Sequence, residues 1–429
     1  MTIAAIYLGR VVSILVAYKA KQLCSGVFVA GREPAAVAGD LAVDDLAILD
    51  YIGGSVDRSA KTATASVLGV TRRAVFRRSG GCALVFAEPE VLRPMGPTAA
   101  PVAADMLPSA PHEALIPVLD RALAEPDPAR PQRTRAVVVV HKGRIAGERY
   151  APGIGAGTPL PGWSMTKSVM NALAGVLVHA GRWSLRDRVP VPEWQKPDDE
   201  RRTITVDHLL RMSSGLEFDE QMLMPLTDLL YMLLAAPDMA AFAVDKDLEA
   251  APGTRWQYSS GTTVILARAM RSVIGNQQEY EALPRRQLFD PLGMSSAMIE
   301  TDATGTFVGS SLMFATARDW ARFGMLYLRD GVWEGRRILP EGWVEYTRTP
   351  APADASRRYG AHFWLGVPDG YRRSNARLPA DAFHAAGHQG QFVTIVPSRD
   401  VVIVRLGATR YREAWDQAAF VRDVLAALH

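Results

Sequence analysis

Strand-like segments stand near both ends of residues 113–429, and helical periodicity fills the stretch between them. "RAVVVVHKGRIAGERY" reads as a hairpin that turns at Lys142-Gly143-Arg144. Far downstream, "HFWLGV", "AGHQGQFVTIVP" and "RDVVIVRLG" are strand candidates, and "REAWDQAAFVRDVLAAL" closes as a helix. Between them, "TVDHLLRMSSGLEF" predicts a short helix ending at Gly215. "YSSGTTVILARAMRSVIG" and "TARDWARFGMLYLRDG" predict helices ending at Gly275 and Gly331. "HEALIPVLDRALAE" has helical spacing ahead of the hairpin. Strands from two distant stretches bury their apolar faces by joining one sheet. The expected fold is therefore α+β: an antiparallel sheet flanked by helices, with an inserted all-helical region and a small β-rich N-terminal segment.

The chain divides as an apolar N-terminal helix (1–22), a small β-rich segment (23–92), a proline-rich linker (93–112) and the main domain (113–429). "CSGVFVAG" is a strand candidate, and "RRAVFRRSGGCALVFA" reads as two strands around Ser79-Gly80-Gly81. Prolines at 94, 97, 101, 108 and 111 deny helix to the linker. In residues 2–18, Arg10 interrupts the apolar run, and the apolar stretch after it is shorter than the roughly 20 residues a bilayer needs. The segment also lacks the basic start and clean cleavage site of a signal peptide. Two readings stand. An export or anchoring segment, the preferred one, implies a periplasmic or membrane-anchored protein with a membrane tether. Otherwise the helix packs on the body, and a cytoplasmic location remains the alternative. Cys24 and Cys82 are the two cysteines. They can pair in an exported chain, or stand as free, half-buried thiols.

Composition narrows the function. With 48% hydrophobic and 22% charged residues, the chain can build an ordinary core, and a net charge of +3 gives no polyanion signal. There is no zinc finger, basic helix or RNA-type aromatic motif, so no nucleic-acid partner is expected. Neither H-E-x-x-H nor a P-loop lysine occurs, and "GIGAG" leads into "TPLPG" rather than a helix. No metal and no cofactor is expected.

Three short motifs carry chemistry. In "PGWSMTKSVMNALAGVLVHAGR", Ser164 stands at the start of a helix-periodic apolar run, and Lys167 lies one turn on, on the same face. The helix start favours developing negative charge. A lysine beside a serine takes its proton if burial lowers the ammonium pKa. Serine is also a favoured helix cap, and that reading stays open here. In "WQYSSGTT", Tyr258 precedes Ser259 and Ser260; it is either a general base in a cleft or a core tyrosine followed by serine caps. In "HAAGHQGQFVTIVP", Gly387 and Gly390 bracket His388 and Gln389, marking close backbone approach by a ligand or a plain hairpin bend.

The order "SMTK", "YSS", "HQG" resembles the serine β-lactamase and penicillin-binding-protein superfamily, whose mark is S-x-x-K followed by two later motifs. It is most similar to the branch with tyrosine in the second motif: class C β-lactamases, family VIII-type esterases, D-aminopeptidases and 6-aminohexanoate-dimer hydrolases. "GWSMTKSVMNALAGVLV", "ITVDHLLRMSSGLEF" and "GHQGQFVTIVPSRDVVIVRLG" look most like the last of these. The resemblance covers about residues 113–429. It implies that Ser164 is the acylated nucleophile and that Lys167 and Tyr258 handle its proton. The backbone N–H groups of Ser164 and Gln391 would form the oxyanion hole, and Ser260, His388 and Gly390 would contact substrate. The expected substrate is a small ester or amide. Ser260 stands where the family has asparagine, and His388 where it has lysine; both departures disfavour efficient β-lactam hydrolysis. The alternatives are a penicillin-binding D,D-peptidase or weak β-lactamase, and a non-catalytic binder of peptides or cell-wall fragments.

Overall fold

The computed structural model describes residues 3–41, 47–86, 107–222 and 226–429. In chain order the main elements are α1 (Ile3–Cys24), β1 (Gly53–Asp57), β2 (Thr62–Val67), β3 (Val70–Arg77) and β4 (Gly81–Val85). There follow α2 (Ile116–Leu123), β5 (Thr134–His141), β6 (Arg144–Tyr150), α3 (Met165–His179) and α4 (Ser260–Ile274). The chain closes with α5 (Ala317–Leu328), β7 (Phe383–Gly387), β8 (Gln391–Val396), β9 (Val401–Gly407) and α6 (Gln417–Ala427). These elements fall into two compact units, each assembled from separated stretches. The first comprises 1–99, 186–282 and 298–312; the second comprises 100–185, 283–297 and 313–429.

In the first unit, α1 lies against β2 and β3 of a four-stranded antiparallel meander, β1-β2-β3-β4. The sheet offers small residues to the helix (Ala63, Ala65 and Ala74), which lets Ile14, Val16, Ala17, Ala20 and Leu23 pack closely. Lys19 and Lys21 are carried into this core. Lys19 Nζ donates to the carbonyls of Leu49 at 2.6 Å and Ile52 at 2.5 Å. Lys21 Nζ pairs with Glu300 at 2.5 Å, and Ser25 Oγ and the Cys82 N–H also donate to that carboxylate. Burial pulls both lysine pKa values below the ordinary range, and for Lys21 the Glu300 charge works against that pull. Cys24 and Cys82 are joined in a disulfide, with their Cα atoms 5.9 Å apart.

Three local expectations change here. "CSGVFVAG" is not a strand, because α1 runs to Cys24 and continues as a π-helical turn, Ser25–Val29. The helix Val206–Leu210 ends before Gly215. Gly215 serves a different purpose: a Cβ there would lie 2.1 Å from the Ala250 carbonyl oxygen, so only glycine fits. Most of the proline-rich linker lies outside the described residues. Its last part, residues 108–112, runs along β6, exchanging backbone hydrogen bonds with Ile145 and Ala146.

The second unit is built on a five-stranded antiparallel sheet in the order β7-β8-β9-β5-β6. Val137, Val138, Val139 and Val140 are all fully buried, which an unbroken apolar strand requires when both sheet faces are covered. Val137 and Val139 pack with α2 and α6, against Leu119, Val421 and Val424. On the other face α5 closes on β8 and β9; a Cβ on Gly324 would lie 2.5 Å from Val402, so glycine lets the helix approach. The hairpin turn at Lys142-Gly143 has positive φ at both residues (50° and 73°), matching the twist of its strands. "HFWLGV" forms no strand: Trp364 makes only isolated bridges, to Tyr359 and His384. The antiparallel sheet with helices on both faces is the α+β architecture expected from the sequence.

Breaking the Lys21–Glu300 pair from one side leaves a buried charge. Lys21→Met is expected to lower unfolding free energy by about 3–5 kcal/mol in urea denaturation, and Lys21→Met with Glu300→Leu to recover part of it. A single variant as stable as the wild type refutes this. His384 on β7 is fully buried, and burial lowers its pKa to about 4. An unfolded histidine titrates near 6.5, so between that pH and about 4 the unfolded chain binds the extra proton. Stability is expected to fall as pH drops through this window, by roughly 3 kcal/mol from His384 alone. Thermal melts from pH 7 to 4 of the wild type and His384→Leu test this: the variant should show the shallower slope.

Candidate active site

Two close approaches set Ser164. Residues Leu160–Pro161 pair with Phe314 and Ala315, and the Gly162 N–H donates to the Met313 carbonyl at 2.8 Å. A Cβ on Gly162 would lie 2.3 Å from the Trp320 ring, so the chain can pass there only as glycine. Trp163 then takes a positive φ of 48°, a strained conformation for a bulky residue. Ser164 follows at φ −64° and ψ −8°, already helical, with α3 beginning at Met165.

This geometry decides the capping question. The Ser164 side chain makes no capping hydrogen bond to the helix. Its Oγ accepts instead from Lys167 Nζ, 3.3 Å away. Lys167 is 1% exposed, while Ser164 is half-buried.

Polar contacts fix α3 along its length. His362 Nδ1 lies 2.8 Å from the Lys167 carbonyl oxygen, and Ser168 Oγ donates to the His362 carbonyl at 2.7 Å. Asn171 Nδ2 donates to the Ala361 carbonyl, while its Oδ1 accepts from Tyr327 and Trp343. Asn171 was not singled out from the sequence. The only signal for it is a polar residue inside an otherwise apolar run.

The third motif meets Ser164 at the end of the sheet. A Cβ on Gly387 would lie 2.3 Å from the Gly162 carbonyl oxygen and 3.2 Å from the Ser164 nitrogen. Glycine is thus what allows β7 to reach the Ser164 backbone. His388, Gln389 and Gly390 do not lie in a strand. They form the tight turn joining β7 to β8, with Gly387 opposite Gln391 in register. The His388 ring stands edge-on to Trp163, with centroids 5.6 Å apart. Burial, helped by the Arg412 charge, lowers its pKa to about 4. At neutral pH it presents an uncharged imidazole, and Nδ1 has no hydrogen-bond partner among the described residues. The Gln391 side chain turns away into the loop, donating to the carbonyls of His388 and Gly407.

Tyr258 and Ser260 belong to the first unit. Tyr258 is half-buried, two residues before α4, whose first turn is capped by Ser259 Oγ accepting from the Thr262 N–H. Ser260 Oγ donates to Glu220 Oε1 at 2.6 Å and its N–H to Oε2 at 2.7 Å. Glu220 is another residue the sequence did not mark. It sets a carboxylate at the N-terminus of α4, where the helix dipole favours it. Among the described residues, no cluster of three or more His, Cys, Asp or Glu side chains is arranged to hold a metal.

The profile of the Beta-lactamase family matches residues 121–427. A 6-aminohexanoate-dimer hydrolase of Paenarthrobacter ureafaciens is 27% identical over 296 residues, covering 64% of this chain and 72% of that protein. Among solved structures, a Bacillus anthracis protein provisionally named a 6-aminohexanoate-dimer hydrolase superposes with a TM-score of 0.56 at 22% identity, covering 76% of this chain and 85% of its own. A D-stereospecific amidohydrolase from Streptomyces sp. does so with a TM-score of 0.53 at 17% identity, covering 70% and 95%. At such identities these two likenesses speak for the fold. The profile match takes in every strand of the five-stranded sheet as well as α3, and the chain belongs to the Beta-lactamase family, serine hydrolases of the β-lactamase fold.

Proposed function

We propose that this protein hydrolyses small esters or linear amides through an acyl-enzyme on Ser164. The observation that carries the proposal is the Ser164 hydroxyl, free of any capping role and hydrogen-bonded to a buried lysine. Ser164 attacks the carbonyl while its proton passes to Lys167 or, by its place in the Y-S-S motif, to Tyr258. The oxyanion is taken by the backbone N–H groups of Ser164 and Gln391, each worth roughly 3–4 kcal/mol. Collapse of the tetrahedral intermediate breaks the C–O or C–N bond, and the proton taken from Ser164 passes to the departing alcohol or amine. Water then attacks the acyl-enzyme with the same pair acting as base, which releases the acid and returns a proton to the Ser164 oxygen.

Two features support an ester or amide rather than a β-lactam. His388 holds an uncharged ring where related enzymes hold a lysine, so it offers a substrate carboxylate a hydrogen bond and no charge. Ser260 is already committed to Glu220 through both its hydroxyl and its N–H. Its side chain is therefore a poor stand-in for an amide-binding asparagine.

We also propose an oxidising compartment, periplasmic or membrane-associated, on the strength of the Cys24–Cys82 bridge. The stretch Ile6–Val29 is long and apolar enough to cross a bilayer, but 56% of its most apolar window is buried within the structure, as in a core helix.

Three outcomes test these readings. A fluorophosphonate is expected to label the Ser164 peptide, and Ser164→Ala to lose p-nitrophenyl acetate turnover by about a thousandfold or more. Retained activity in that variant removes the nucleophile. Across a panel, short-chain p-nitrophenyl esters are expected to turn over much faster than nitrocefin; a reversed order removes the reading of His388 and Ser260. Peptide mapping without reductant, on protein isolated from cells, should recover Cys24 and Cys82 in one linked fragment.

A further inference from the structure

The turn that brings His388 and Gln391 to the end of the sheet is held from beneath by one side chain. Arg405, on β9, is fully buried. Its Nη1 donates to the carbonyls of Gln389 at 3.1 Å and Gly390 at 2.8 Å. Its Nη2 donates to the Gln132 carbonyl at 2.8 Å, Thr134 Oγ1 at 2.9 Å and Thr409 Oγ1 at 2.7 Å. The guanidinium lies over the Trp415 ring, 4.5 Å from its centroid. Every one of these acceptors is neutral. A buried cation so arranged is tolerated only because its donors are satisfied one by one. Burial lowers its pKa to about 9, which leaves it protonated at neutral pH.

The turn needs such a clamp. Gln389 and Gly390 both have positive φ, 61° and 78°, and the first is not a glycine. Their carbonyls point inward, where an unpaired oxygen is costly. Glycines at 390 and 407 give the guanidinium its room, since a Cβ at either would lie 2.3 Å or 2.2 Å from Nη1. The Thr409 N–H adds a bond to the Gln389 carbonyl at 3.1 Å. The turn leads directly into Gln391, opposite Gly387, whose Cα borders the Ser164 nitrogen.

We infer that Arg405 is a positioning residue for acyl transfer: its guanidinium holds the His388–Gly390 turn so that the Gln391 N–H meets the oxyanion forming at Ser164. The inference rests on the proposal that Ser164 is the nucleophile. Lysine keeps the charge but cannot span the same five acceptors from its single nitrogen, so Arg405→Lys isolates the fork geometry.

The full-length wild type, Arg405→Lys, Thr409→Val and Val421→Ala are compared. Val421→Ala removes buried volume from the same sheet's core without touching the turn. Each is assayed for p-nitrophenyl acetate turnover, for the rate at which a fluorophosphonate labels Ser164, and for thermal stability. The expected result is a kcat and labelling rate lowered on the order of 10- to 100-fold in Arg405→Lys, with KM within about twofold. Thr409→Val should lose about threefold or more, and Val421→Ala should lose stability alone. If Arg405→Lys does not fold, Thr409→Val decides by the same measures. A folded Arg405→Lys that labels at the wild-type rate overturns the inference alone. So does a loss of rate no greater than that of Val421→Ala at matched stability. A wild type unlabelled at Ser164 overturns the nucleophile, and the inference with it.

Discussion

The pairing of β5 with β9 is the constraint on which the second unit depends. It joins residues 137–141 to residues 401–405 in continuous antiparallel register, across most of the length of the chain. Once these strands are side by side, the rest of the sheet has little freedom. β6 extends it at one edge, and β8 and β7 extend it at the other. The two faces then need helices, and α2 with α6 supply one cover while α5 supplies the other. The edge strand β7 ends in glycine, and that ending lets the sheet reach the Ser164 backbone. The contact between the sheet and the Ser164 backbone is a by-product of where a strand stops.

Four of the buried cations are satisfied in different ways. Lys21 has a carboxylate, Glu300. Lys19 has two carbonyls. Arg405 has carbonyls, hydroxyls and an aromatic face. Lys167 meets the Ser164 hydroxyl. Lys21 also touches a serine, but Ser25 is fully buried and its hydroxyl is spent on Glu300, whereas Ser164 is half-buried. The first three arrangements are structural solutions to the cost of burying charge. The fourth sets an amine beside the hydroxyl of a half-buried serine. This contrast sets the Ser164–Lys167 contact apart from the other three within one molecule.

Local signals were legible in the sequence, and long-range ones were not. The hairpin around Lys142-Gly143 and the helix closed by Gly275 follow from turn and cap chemistry that acts over a few residues. The Ser164–Lys167 contact is equally local, since it is fixed by one helical turn. "CSGVFVAG" misled because its β-branched residues suit a strand, while α1 and the Cys24 bridge hold it as helix. "HFWLGV" misled because its apolar residues are buried by an irregular segment rather than by a ladder. The strands β1 and β2 escaped notice, since Gly and Ala at many of their positions weaken the strand signal. The Arg405 clamp, the Glu220–Ser260 pair and the Asn171 contacts each join residues far apart in the chain. No spacing rule reaches them.

The burial of α3 has a consequence for how this protein can change. From Met165 to Leu177, thirteen consecutive residues are shielded from solvent. Adding or removing a methylene at such positions costs about 1–3 kcal/mol, a large share of the net stability of an ordinary domain. Laboratory selection for new substrates has almost no usable variation within this helix. Adaptation must accumulate in the exposed loops and leave Lys167 where it is. Such a helix serves as a fixed datum within the second unit, as the fully buried strands β8 and β9 do.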